Sequence, residues 1–167
     1  MKIGNRSSFW LASILLLASL VFSLATAFRW IDIRFRIGPF FVTHWLSWIG
    51  TLFIAVYTPL YYIVKRRQPH RLPYLIPIHM FGNLLSFIGI SMHFFQQITR
   101  PPQFPPDFGT GITLYIVMVV LVSTGFLHRF HLLRAAVPHQ NRFLHISITL
   151  AFYIIIAVHI LQGVNLL

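Results

Sequence analysis

The sequence predicts an all-α integral membrane protein, a five-helix transmembrane bundle forming one domain over residues 1–167. Three observations carry this. Of the 167 residues 57% are hydrophobic and only 9% charged, with mean hydropathy +0.76, against about 25% charged in an ordinary soluble domain. The apolar residues fall into five runs, each long enough to cross a hydrocarbon layer that takes about 20 helical residues. The basic residues are confined to the short segments between those runs.

The first run, about 8–28, follows a polar start with Lys2 and Arg6. A basic start, an apolar centre and Ala25-Thr26-Ala27 resemble a signal peptide; we read the run as a retained first helix. A short loop with Arg29, Trp30, Arg34 and Arg36 leads to the second span, about 40–64, where Pro59 is expected to kink the helix. The connection KRRQPHRLP is the most basic part of the chain, and the third span covers about 74–97. The linker RPPQFPPDFGTG, with four prolines and two glycines, reads as extended. The fourth span, about 111–133, contains Gly125, Pro138 closes the next connection, and the fifth span is about 142–165. Connections of about a dozen residues or fewer leave no room between the spans for a nucleotide-binding or flavin domain.

Orientation follows from the cations. One side of a five-span bundle collects Lys2, Arg6, Lys65, Arg66, Arg67, Arg71, Arg129, Arg134 and Arg142; the other has Arg29, Arg34, Arg36 and Arg100, diluted by Asp32 and Asp107. Positive loops stay inside, so the N-terminus is expected in the cytoplasm and the C-terminus outside, with the third and fifth spans parallel. The formal charge of +11 is spread over membrane-flanking loops, which points to anionic lipids or an acidic partner and away from nucleic acid.

The chemistry lies in the third and fifth spans. His79 and His93 are fourteen positions apart, and so are His145 and His159. Fourteen residues make nearly four turns, so each pair shares roughly one helix face at levels about 21 Å apart. Ionisable residues inside a membrane are costly and usually functional, and an equal spacing on two helices is hard to reach by chance. Parallel helices would set His79 opposite His145 and His93 opposite His159. Two imidazoles complete the coordination of a porphyrin iron but leave a bare zinc or copper ion short of ligands. The expectation is therefore two non-covalent b-type haems with bis-histidine ligation. The chain has no cysteine, which excludes thiolate-held clusters, disulfides and covalent c-type attachment. Gly82, Ser86, Gly89 and Ser91 would let a macrocycle or another helix approach the third span. Met80 and Met92 point about 100° away from the adjoining histidines and read as packing.

Haem propionates need cations or donors at the membrane boundary. Arg71 and Arg142, towards the cytoplasmic ends of the histidine-bearing spans, are candidates at the inner level, and Arg100 and His44 at the outer one; headgroup anchoring would use the same arginines. His128 and His131 belong to the cytoplasmic end of the fourth span, His70 and His139 to loops.

Two helices with His-x13-His separated by one intervening helix resemble the transmembrane core of the ferric reductases and NADPH oxidases, over roughly residues 40–165. The resemblance implies His79 and His145 as inner-haem ligands and His93 and His159 as outer ones. The same spacing occurs in cytochrome b of quinol-oxidising complexes, there on the second and fourth helices. The family's sixth helix and flavin–nicotinamide domain have no counterpart among these 167 residues. The functional expectation is thus transmembrane electron transfer by the cytochrome subunit of a larger redox system, served by a flavoprotein, an iron–sulfur protein or quinone. The alternatives are a self-contained quinol-dependent oxidoreductase reducing metal ions or oxygen at the outer face, and a structural anchor whose histidines only pack helices.

Overall fold

The computed structural model describes residues 3–31, 33, 35–100, 109–130, 132 and 138–163, with the backbone alone at 3–5, 138 and 139. Lys2, Asp32, Arg34, the proline-rich stretch 101–108 with Asp107, His131 and the connection 133–137 with Arg134 lie outside the described residues. Five helices are long and apolar enough to cross a membrane. They are α1 (Ile3–Ala27), α2 (Val42–Arg67), α3 (Leu72–Ile98), α4 (Gly109–Phe130) and α5 (Pro138–Gly163). Large apolar side chains such as Leu17, Ile49, Leu52, Ile116, Leu150 and Ile154 stand exposed along them, as a lipid-facing surface requires.

The chain divides into two compact units, Met1–Pro105 and Pro106–Leu167. In the first, α3 is the central helix, packed on both α1 and α2. Along the α2–α3 seam, Thr43 donates to Gln96 Oε1, Gly50 meets the Ser86 backbone, Leu46 meets Gly89, and Phe53 covers Gly82. The rising numbers on one helix meet falling numbers on the other, so the pair is antiparallel. On the opposite side of α3, fully buried Ser91 receives a 3.4 Å hydrogen bond from Ser19 of α1. Arg29 Nη2 reaches the Thr99 carbonyl at 3.4 Å. Numbers rise together there, so α1 and α3 run parallel. The small residues of α3 are thus taken up by neighbouring helices: of the two uses the sequence allowed them, helix packing is the one this unit makes.

Several local features differ from the sequence reading. The segment before α2 contains a hairpin, β1 (Arg36–Ile37) paired antiparallel with β2 (Phe40–Phe41), where a loop was expected. Gly38 has φ +62° at its turn, a conformation that costs glycine little. Trp45 Nε1 donates to the Ile37 carbonyl at 2.9 Å and ties the hairpin to α2. A single 3₁₀ turn, Pro69–Arg71, joins α2 to α3. Pro59 and Pro77 both sit inside helices; each removes one backbone donor. Pro138 opens α5 four residues before the expected start, because a first-turn residue has no intrahelical acceptor for the missing N–H.

The second unit is the pair α4 and α5. Asn141 Nδ2 donates to the Thr124 carbonyl at 3.2 Å and secures the start of α5 against the end of α4.

The α2–α3 seam yields a test. A Cβ at Gly89 would lie 3.1 Å from the Leu46 carbonyl oxygen, and backbone cannot swing aside as a side-chain tip does. Gly89→Val should cost about 1–3 kcal/mol from overpacking, read as a lower unfolding temperature in detergent. Gly163→Ala, with nothing within 4 Å of its Cβ, should leave that temperature unchanged.

Candidate functional site

The four histidines of the two fourteen-residue pairs lie within helices and are half-buried: His79 and His93 on α3, His145 and His159 on α5. The two helices belong to different units, and each supports its histidines in its own way.

On α3, the His79 ring stacks on Tyr61 of α2, with centroids 4.5 Å apart and planes 14° apart. Tyr57 is the next ring along, 6.5 Å away, and its hydroxyl donates to the Leu75 carbonyl at 3.0 Å. Asn83, one turn after His79, brings its amide nitrogen within 3.3 Å of Nδ1 and 3.4 Å of Nε2. His93, nearly four turns further, meets His44 of α2 edge to face, with centroids 4.6 Å apart. His44 in turn lies between Phe40 and Phe41 of the hairpin and His93.

Beyond His93, α3 ends at a cavity of about 370 Å³ lined by Arg29, Arg36 and Arg100 together with Gln96, Gln97 and Thr99. Arg100 is exposed. The structure therefore adds Arg29 and Arg36 to the one arginine selected at this level from the sequence. Arg71, also exposed, closes the 3₁₀ turn just before α3. Arg142 is exposed on α5, three residues before His145.

On α5 the arrangement is more regular. His145 Nδ1 lies 2.9 Å from Thr124 Oγ1, and His159 Nδ1 lies 3.0 Å from Thr110 Oγ1. Next to each threonine is a glycine against which the ring rests. A Cβ at Gly125 would lie 3.3 Å from His145 Cε1, and one at Gly111 would lie 3.5 Å from His159 Cε1. The Thr-Gly dipeptides 110–111 and 124–125 are themselves fourteen residues apart. The antiparallel register of α4 and α5 sets each dipeptide against one histidine.

These threonines, with Gly111, Asn83, Tyr57 and Tyr61, were not selected from the sequence. The repeated Thr-Gly at the histidine spacing was the available signal. It was hidden because single small residues are common in any membrane helix.

Among the described residues no three His, Cys, Asp or Glu side chains gather where they could hold a bare metal ion. The two α5 histidines instead each set an imidazole against an α4 glycine, whose missing Cβ keeps the ring close to the α4 backbone, while on α3 His79 meets Tyr61 and His93 meets His44. That donor set suits a group that brings its own equatorial ligands, as a porphyrin does. His70 lies in the 3₁₀ turn and His128 in the last turn of α4, both exposed. The backbone of His139 belongs to the first turn of α5. Comparison with protein-family models, with curated proteins and with solved structures finds no match for this chain.

Proposed function

We propose that this chain is a multi-pass membrane cytochrome: the electron-transfer subunit of a larger redox system, holding two b-type haems non-covalently. One observation carries the reading, the fourteen-residue interval shared by His79 and His93 and by His145 and His159. Helix packing alone does not require the histidine intervals of α3 and α5 to be equal. By spacing and by the helix directions expected from the cations, the ligand pairs are His79 with His145 towards the cytoplasm and His93 with His159 towards the outside.

Bound haem supplies reversible one-electron chemistry, and two histidines leave its iron no open position for oxygen. The residues of this chain do the rest. The imidazoles hold the iron and fix its height in the membrane, and the exposed apolar faces of the five helices keep it in lipid and away from water. Arg100 and His44 at one level, and Arg71 and Arg142 at the other, offer cations and donors to propionates. The Arg66 guanidinium lies over Tyr62, 4.6 Å from the ring centroid, and the Lys65 ammonium lies 5.6 Å from that of Tyr61. The basic end of α2 is thereby held close to its own helix, where it can anchor in anionic headgroups or receive an acidic flavoprotein or iron–sulfur partner. Quinol in the membrane is the other candidate donor. The resemblance to the ferric reductase and NADPH oxidase core supports the same reading.

The test is stoichiometry with ligand variants. A pyridine haemochrome assay should give two haems per chain, all extractable into acidified solvent because no cysteine can retain them. His79→Ala and His145→Ala should remove the same redox component, and His93→Ala and His159→Ala the other. One haem or none in the unmutated chain would refute the reading, and a colourless protein would leave only an anchor.

Arg100 gives a second measurement. A cation beside a haem disfavours the more positive oxidised iron, so its loss should lower the midpoint. Arg100→Gln should lower the potential of the component carried by His93 and His159 and leave the other nearly unmoved. Two unmoved midpoints would assign Arg100 to the headgroups.

A further inference from the structure

The α4–α5 pair fixes more than the position of its two imidazoles; a count of protons on the threonines also fixes which ring nitrogen is bare. A threonine hydroxyl has one proton to donate and two lone pairs to accept with. Thr124 Oγ1 donates within its own helix, to the Val120 carbonyl at 2.8 Å, with the Leu121 carbonyl at 3.1 Å. Its proton is therefore spent, and at 2.9 Å from His145 Nδ1 the hydroxyl can only accept. Thr110 Oγ1 donates to Gln162 Oε1 at 2.7 Å, so towards His159 Nδ1 at 3.0 Å it too can only accept. A bare Nδ1 would set lone pair against lone pair in both places. Each ring must carry its proton on Nδ1, which makes Nε2 the unprotonated nitrogen.

The surroundings hold this arrangement. Threonine is β-branched and has few rotamers in a helix, and Thr124 is buried. Asn141, one turn before His145, bonds the Thr124 carbonyl, and Gln162, one turn after His159, takes the Thr110 proton. Each histidine thus shares its helix face with an amide that pins the same threonine. Where it is buried, a misplaced imidazole proton costs about 1–3 kcal/mol as an unmet donor or acceptor.

We propose that Thr110 and Thr124 are positioning residues for His159 and His145. Each sets the Nδ1–H tautomer, aims Nε2 as the ligating atom, and by accepting from Nδ1–H makes the ring a stronger electron donor. The inference deepens the two-haem reading, on which its redox consequence rests; the tautomer itself does not need that reading. A metal-bound imidazole is commonly tuned by such an acceptor on its other nitrogen. A ring enriched in electrons favours oxidised iron, so removing the acceptor should raise the potential.

Two measurements on the full-length chain separate the claims. The first is imidazole ¹⁵N NMR of histidine-labelled protein prepared without haem. His145 and His159 should both show a protonated Nδ1 and a bare Nε2; the opposite tautomer at either would overturn the assignment there. The second is redox titration of the haem-loaded chain. Thr124→Val, which keeps the shape and removes the hydroxyl acceptor, should raise the midpoint of the component lost in His145→Ala and leave the other in place. Thr110→Val should do the same for the component lost in His159→Ala, and Thr→Ser at either position should restore the original value. Should a valine variant fail to fold, Thr→Ala is the substitute, with Thr→Ser again as the restoring control. Haem bound with both midpoints unmoved in the valine variants would overturn the positioning role while the proposed function stands. Nδ1–H tautomers in a chain that binds no haem would overturn the proposed function while the tautomer assignment stands.

Discussion

Inside an apolar helix pair, an imidazole has two nitrogens to satisfy, one as donor and one as acceptor. Much of the second unit is arranged by that constraint. Thr124 and Thr110 each meet one ring nitrogen, Asn141 and Gln162 engage those threonines, and the glycines beside them let the rings lie close against α4. The register of α4 against α5 follows: a slip by one residue would set glycine against Nδ1 and a larger side chain against the ring. The polar contacts therefore specify the pairing of two helices whose apolar faces alone would fit in several ways.

The first unit meets its demands by other means. Its α3 histidines are neighboured by rings from α2, with Tyr61 on His79 and His44 on His93. The glycines of α3 are covered by α2, so close backbone approach there serves the seam between helices. The two units thus support an identical histidine spacing with different chemistry.

Helix existence was legible in the sequence because twenty apolar residues in a row admit few other structures in lipid. Boundaries were less legible. Pro138 reads as a stop in isolation and serves as a start, because a missing N–H is harmful in the middle of a helix and harmless in its first turn. The hairpin before α2 escaped notice because two-residue strands leave no periodic trace. Its Gly38-Pro39 turn was the one visible mark.

By itself the sequence determined the apolar spans, the absence of thiol chemistry and the fourteen-residue interval of the histidines, since each follows from residue type and position along one helix. What surrounds those histidines was decided by tertiary structure alone. Whether Thr124 donates to or accepts from an imidazole depends on where its single proton is already committed, and whether a glycine seats a ring or a neighbouring helix depends on which face is turned towards it. Both are settled by the register between helices, a relation between distant parts of the chain that no spacing within one segment records.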